Sequence, residues 1–281
     1  QIKGVPAANI FLGNGSDEAI DLIFRVFCRP CLDNVVAISP SYGMYEVAAD
    51  INEVELRKVQ LGEDFELDPG ALLKACDNFT KAIFLCSPNN PSGNAFSNET
   101  VLSLAEAFDG IVVVDEAYID FCSIPSLIGN AVTAGNIVVL QTLSKARGMA
   151  ALRLGMAFST ERIISLMSMV KYPYNINKAA QELVMDLLDE DISPKVAETV
   201  RERARVEEAL KAMSSVLKVY PSEDNFLLVT LKDADEAYDR LIAGGLIVRN
   251  RNRVPGCRNC LRITIGTPQE NDKLITMMST L

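Results

Sequence analysis

Histidine is absent from the 281-residue chain. That gap removes Ser-His-Asp and Cys-His hydrolases and histidine-based metal sites together. Any general acid or base must then be Lys, Asp, Glu, Tyr or Cys. No apolar run approaches the ~18 residues needed to cross a bilayer, and no signal-peptide pattern opens the sequence. A cytoplasmic protein is therefore expected. No basic patch offsets the net charge of −10, which argues against a nucleic-acid partner. The seven cysteines are an odd number without a secretory signal, so a disulfide framework is not expected. Two CxxC pairs, Cys28/Cys31 and Cys257/Cys260, stand too far apart in the chain for a zinc ribbon. Cys28 continues an apolar helix face and Pro30 interrupts the first pair. These are read as reduced, structural thiols, and no metal is expected. Low-complexity tracts, internal repeats and disordered linkers are also missing.

The rest is ordinary for a globular protein, 49% hydrophobic and 23% charged, and long enough for one large domain and a smaller one. Short runs rich in β-branched residues (Val35 to Ile38, Glu53 to Val59, Ala82 to Cys86, Ile111 to Val114, Ile137 to Leu140) alternate with helical patterns. Those helices are expected over Asp17 to Phe27, Tyr42 to Ile51, Pro69 to Cys76 and Asn98 to Phe108. Such alternation predicts right-handed βαβ crossovers and an α/β fold with a mostly parallel sheet flanked by helices. Beyond it, Ser193 to Met213 reads as a long amphipathic helix leading into a smaller α+β domain. Strands are expected there at Val216 to Val219, Phe226 to Leu231, Ile247 to Arg249 and Leu261 to Ile265. The helices lie near Ala234 to Ala243 and from Gln269 onwards. The expected division is 1–172 for the large domain and 173–281 for connecting helices and the small domain.

Polar residues at the strand ends carry the chemistry. Asp115 directly follows the apolar run Ile111 to Val114, and Lys145 follows the run Ile137 to Leu140. Charges there are costly unless paired or used, and ligands of open α/β sheets bind at the carboxyl ends of the strands. GNGSDEAIDLIFRVF reads either as a capped helix or as a helix start whose free N–H groups hold phosphate; it matches neither a P-loop nor GxGxxG. Tyr42, in SPSYGMYEV, stacks on a planar ligand or staples the next helix. CSPNNPSGN is a stiff loop that aims Asn90, or a plain turn. A lysine with a depressed pKa among Thr142, Ser144 and Arg153 can form a Schiff base, and an acid at a neighbouring strand end can hold a protonated heteroaromatic nitrogen. A structural Lys–Asp ion pair would explain the charges but neither the hydroxyls nor the arginine.

Taken in order, GNGSDEAI, SPSYGMYE, SPNNPSGN, VVDEAYIDF, TLSKARGMAALRLG and CLRITIG resemble the pyridoxal 5′-phosphate (PLP) dependent aminotransferases of the aspartate aminotransferase fold. The runs LGNGSDEAIDLIFRVF and YGMYEVAA, with the surroundings of NPSGN and CLRITIGT, resemble the class II branch that acts on histidinol phosphate. The resemblance implies that Lys145 binds PLP covalently and shuttles a proton, and that Asp115 pairs with the ring nitrogen. It places Tyr118 and Asn90 at the ring oxygen and Tyr42 on the ring face. Ser16, Asp17 (through its backbone), Thr142, Ser144 and Arg153 become the phosphate cup. Arg262 becomes the substrate-anion residue, with Arg249 and Asn175 as further contacts. It implies transamination between glutamate/2-oxoglutarate and histidinol phosphate/imidazole acetol phosphate in histidine biosynthesis, by a homodimer with shared active sites. A threonine-phosphate decarboxylase-like lyase, a broad aromatic aminotransferase and a truncated, inactive chain are the other readings. Family members usually carry several dozen further N-terminal residues, including an Asn-Pro-Tyr segment over the substrate and a tyrosine reaching the partner's cofactor phosphate. The sequence opens at QIKGVPAANIFLGNG without them, so an N-terminally shortened chain with an incomplete substrate pocket is expected.

Overall fold

A computed structural model describes residues 3–281. The first part alternates strand and helix: β1 (Ile10–Asn14), α1 (Ser16–Phe27), β2 (Asn34–Ser39), α2 (Met44–Ile51), β3 (Glu55–Gln60), α3 (Pro69–Ala75) and β4 (Thr80–Cys86). Then come α4 (Asn98–Ala107), β5 (Ile111–Asp115), the single turn α5 (Ile128–Ala131), β6 (Ile137–Thr142), β7 (Leu154–Phe158), α6 (Glu161–Val170) and α7 (Lys178–Leu187). The long α8 (Ser193–Lys211) leads to β8 (Val216–Val219), β9 (Phe226–Leu231), α9 (Ala234–Ala243), β10 (Arg249–Asn250), β11 (Cys260–Thr264) and α10 (Pro268–Met278).

The large sheet has the order β1-β7-β6-β5-β4-β2-β3. Every pairing from β3 to β6 is parallel, while β7 runs against both its neighbours, β6 and β1. The expected α/β fold is therefore present, with one reversed strand. Side-chain alternation decides what sits at the strand ends. Phe84, Val113, Val138 and Leu140 enter the core on the α1–α2 face, while Ile83, Leu85, Val112, Val114, Ile137 and Val139 enter the core on the other. Each fully buried Val or Ile contributes about 1.5–3 kcal/mol, so the register is firmly specified. The same parity puts Cys86, Asp115 and Thr142, the last residues of three adjacent strands, on the α1–α2 face. The smaller sheet, β10-β11-β9-β8, is antiparallel throughout and has its own core around Leu227, Val229 and Leu261.

Five elements are absent from the sequence-based expectation, among them the single turn α5. β1 lies inside IFLGN, where the glycine turn dominated the reading. β7 is LGMAF, whose Gly, Met and Ala have weak strand preference and acquire it from two flanking strands. α6 and α7 fill the stretch between the two units; α7 contributes one buried residue of its own, Val184, to the large-sheet core. Boundaries move where local chemistry intervenes. The expected strand at Glu53 begins at Glu55, because Glu53 takes a positive φ of 54° in the turn after α2. Helix α2 starts at Met44 rather than Tyr42.

Candidate active site

A cavity of about 330 Å³ opens at the carboxyl edge of the large sheet, within the size range of small-ligand sites. Its lining brings together Ser16, Asp17, Tyr42, Asn90, Asp115, Tyr118, Thr142, Ser144, Lys145, Arg153, Arg249 and Arg262. These are twelve of the thirteen residues singled out from the sequence. Asn175 stands apart: its amide donates to the Leu12 carbonyl (3.0 Å) and the Glu18 carboxylate (2.8 Å) and accepts from Lys171 (3.1 Å), in a separate cleft. The Asn175 contact expected at the substrate is thus not part of this cavity.

One end is built for an anion. Gly15 turns the chain into α1 at φ 78° and, as N-cap, offers no side chain, so no side-chain cap occupies the first amides of the helix among the described residues. A Cβ on Gly15 would lie 2.5 Å from Arg153 Nη2, and one on Gly155 in β7 would lie 2.1 Å from the Ser16 nitrogen. Glycine at both positions lets strand, helix start and guanidinium converge. The Gly15 N–H donates to the Arg153 carbonyl (2.7 Å), and Arg153 itself sits at φ 51°. Thr142 and Ser144 hydroxyls lie 2.9 Å apart beside them. Helix dipole, free N–H groups, two hydroxyls and an arginine make a cradle that suits a phosphate. The Asp17 carboxylate accepts from Tyr42 OH (3.0 Å) and Arg153 (3.2 Å), tying Tyr42 to the cradle. Burial, and then Asp17, push the Tyr42 phenol well above its usual range, so it remains a donor.

The other end holds an acid. Asp115 is buried, accepts from Tyr45 OH (2.9 Å) and from the Ala117 N–H (3.1 Å), and burial raises its pKa to about 6. Tyr45 escaped the sequence reading although YGMY places it three residues after Tyr42, one helical turn away and pointing into the core. It is fully buried, tilted on Phe84 at 5.0 Å and edge-on to Tyr42 at 5.8 Å. A carboxyl held this way fits a protonated ring nitrogen, whose positive charge would favour its ionised form.

Lys145 lies between the ends, in a tight loop closed by Gly148 N–H to the Lys145 carbonyl (2.9 Å) and Met149 N–H to Leu143 (3.0 Å). Its Nζ is 4.9 Å from the centroid of the Tyr118 ring. Burial first, and then Arg262, lower its pKa, favouring the neutral amine that attacks carbonyls. The CSPNNPSGN loop owes its stiffness to Asn89, fully buried, whose amide donates to the Pro40 carbonyl (3.0 Å) and Ser92 Oγ (2.7 Å) and accepts from Ser41 (3.0 Å). Next to it, Asn90 Oδ1 accepts from Arg262 Nη1 (2.6 Å), which leaves its NH₂ as the donor for a ligand. Arg262 comes from β11 of the small sheet and lies 4.8 Å over the Phe226 ring. Arg251, also missed, joins Arg249 and Arg262 on the wall; the RNRNR spacing of alternate arginines before a strand was its only signal. None of the three forms an ion pair with a carboxylate among the described residues, and the Nε atoms of Arg251 and Arg262 are buried without a partner.

The donor set thus fits PLP: a cradle for its phosphate, an acid for its ring nitrogen, a depressed lysine for its aldehyde. The comparisons agree. The model of the family "Aminotransferase class I and II" matches residues 1–278. A histidinol-phosphate aminotransferase of Parabacteroides distasonis is 53% identical, across 100% of this chain and 82% of that protein. The structure of the histidinol-phosphate aminotransferase of Sinorhizobium meliloti, in complex with pyridoxal 5′-phosphate, superposes with a TM-score of 0.87 at 25% identity, over 99% of this chain and 78% of that one. L-threonine-O-3-phosphate decarboxylase of Porphyromonas gingivalis shares the fold (TM-score 0.83, 23% identity, 98% and 84% covered). With a family match over almost its whole length and a cavity that fits the family's chemistry, the chain belongs to the class I and II aminotransferases.

Proposed function

We propose that the protein is a PLP-dependent transaminase that exchanges an amino group between glutamate/2-oxoglutarate and histidinol phosphate/imidazole acetol phosphate. PLP, when bound, supplies an aldehyde and an electron-withdrawing ring. The chain does the rest. Gly15, Ser16, Thr142, Ser144 and Arg153 would anchor the phosphate; Asp115, steadied by Tyr45, would keep the proton on the ring nitrogen; Asn90 and Tyr118 would serve the ring oxygen, and Tyr42 one ring face. Lys145 would hold the cofactor through its amine, and the same amine, depressed by burial, would serve as the base at the substrate Cα. Arg262 receives the anionic group of the amino-group donor.

The observation that carries the choice of substrate is the trio Arg249, Arg251 and Arg262, three guanidiniums on one wall without a carboxylate partner among the described residues. Such a wall suits a substrate bearing a phosphate in addition to an amino group, and the 53% identical relative is named for one. The phosphate alone does not separate transamination from decarboxylation, as the fold shared with the threonine-phosphate enzyme illustrates. A direct assay does: the loaded protein, given histidinol phosphate and 2-oxoglutarate, is expected to form glutamate and to release no CO₂ from threonine phosphate. CO₂ release without glutamate formation would replace this reading. Arg262→Ala is expected to raise KM for glutamate on the order of 10- to 100-fold through loss of charged hydrogen bonds. Arg262→Lys is expected to recover little, because an ammonium cannot reproduce the two-pronged contact.

We also infer a homodimer. Leu12, Met169, Tyr172, Tyr174 and Met185 are exposed at 45, 76, 70, 95 and 69% around the cleft that holds Asn175 or next to it. An apolar patch of that kind is suited to a second copy. No helix among the described residues is long and apolar enough to cross a membrane.

A further inference from the structure

We propose that Asp224 is the internal counter-charge of the substrate-anion site, and that an anion arriving at Arg262 is accepted together with one proton on the Asp224 carboxyl. The inference rests on Arg262 as the anion residue. Asp224 is completely buried (0% exposed), and neither of its carboxylate oxygens finds a hydrogen-bond partner among the described residues. Its backbone, by contrast, is pinned. The Asp224 N–H donates to Ser222 Oγ (3.0 Å), its carbonyl accepts from Arg203 Nη1 (2.7 Å), and the Glu223 N–H donates to the Gly93 carbonyl (2.7 Å). This turn joins α8, the asparagine loop and the start of β9. Phe226 opens that strand with its ring edge-on to Tyr118 at 5.3 Å and beneath the Arg262 guanidinium.

The charges around the carboxyl come from every packed element. The cations are Arg203 from α8, Arg262 from β11 and Lys145 from the loop after β6; the anion is Asp115 at the end of β5. Glu223, its neighbour, is engaged with Ser123 and lies 4.0 Å from Arg203. Tyr118, Cys86 and Cys122 sense Asp224 and are held neutral by their own burial. No cation makes an ion pair with Asp224 itself among the described residues. An ionised carboxylate without donors bears its full desolvation penalty, and only the field of the surrounding cations offsets it. Two of those cations are arginines and cannot lose their charge.

The ionisation of Asp224 therefore depends on whether the arginine charge is already answered. Its pKa stands well above the carboxylate range, because burial outweighs the pull of Arg203, Arg262 and Lys145. An anion on Arg262 cancels part of that pull. The carboxylate then takes one proton from solvent and becomes the neutral acid, with no other bond made or broken. The site accepts a negative charge without burying two anions side by side. By linkage, anion affinity falls as pH rises above the titration of Asp224, because a proton must be taken up with the ligand.

Sulfate, whose charge is constant across the neutral range, tests this on the PLP-loaded protein, where the phosphate cradle is filled. Calorimetric titration in two buffers of different protonation heat counts the protons taken up. The wild type is expected to take up part of a proton per sulfate and to lose affinity by up to about tenfold per pH unit once Asp224 is ionised. Asp224→Asn, neutral at every pH, is expected to bind sulfate without that uptake and with a flat profile. Asp224→Ser, smaller and also neutral, should do the same if the asparagine variant folds poorly. Equal uptake in wild type and variants, no uptake in the wild type, or no sulfate binding overturns the proposal. Arg262→Ala distinguishes the two assignments. Weak binding there with undiminished uptake in Asp224→Asn removes Asp224 alone, whereas wild-type binding in Arg262→Ala removes the arginine reading beneath it.

Discussion

Lys145→Ala is expected to abolish covalent retention of PLP and to lower turnover on the order of 10⁴-fold or more, since it removes nucleophile and proton carrier together. The protein should still fold. Lys145 makes no ion pair among the described residues; its close charged contact is the cation–π one with Tyr118, and its burial already disfavours the charge that the substitution removes. PLP should still bind through the phosphate cradle, but dialysis should remove it, and borohydride should no longer fix it to the chain. The mass of the borohydride-treated variant checks this. A persisting adduct would mean that another lysine holds the cofactor. Burial and Arg262 already depress the Lys145 pKa, so the wild type should capture PLP at a pH where exposed lysines, being protonated, react slowly.

Asp115→Asn should act in two ways. Turnover is expected to fall on the order of 10²–10³-fold, the usual cost of removing one preorganised electrostatic group. In the cofactor-free protein the same change should alter the pH dependence of stability. Burial raises the folded-state pKa of Asp115 from 3.8 to about 6. Between those values the folded state holds a proton that the unfolded state has released, so stability declines as pH rises from about 4 to about 6. At about 1.4 kcal/mol per pH unit the decline amounts to on the order of 3 kcal/mol. Asn cannot ionise and should remove that slope while keeping an acceptor for Tyr45. Urea unfolding across this pH range measures it. Parallel slopes in wild type and variant would show that Asp115 titrates normally. Added PLP should flatten the wild-type slope, because the ring-nitrogen cation favours the ionised acid.

Most of the site was legible because it lies at strand ends. A polar residue directly after a β-branched run declares itself, as Asp115 does after Ile111 to Val114 and Asn90 does after a buried strand and a proline. What escaped were residues whose role depends on long-range geometry. Tyr45 looks like one more core aromatic until α2 is laid against β5, some seventy residues later in the chain. Arg251 looks like a solvated charge until β10 is seen beside the cavity. Asp224 looks like an ordinary turn acid in PSEDN, and only full burial reveals it. Asn175, whose neighbourhood suggested a ligand contact, lies outside this cavity, with its amide on the Leu12 backbone and Glu18. Strand β7 was hidden because its partners, not its composition, make it a strand.

That reversed strand also carries a consequence for how the protein is made. Gly13 pairs with Gly155, and the cradle is closed by residues on either side of that pairing. Two parts of the cradle, the start of α1 after β1 and Arg153 before β7, are thus joined by the pairing of the first and last strands of the large sheet, the most non-local strand contact among its described residues. Such contacts form late, because the loop they close is long. On a ribosome, the nascent chain cannot assemble the cradle until β7 has emerged, by which time every other strand of the sheet is available to pair. Acquisition of PLP would then mark the completion of the large sheet and could not guide its earlier steps. A pulse of PLP during refolding should accordingly be captured only in the final kinetic phase.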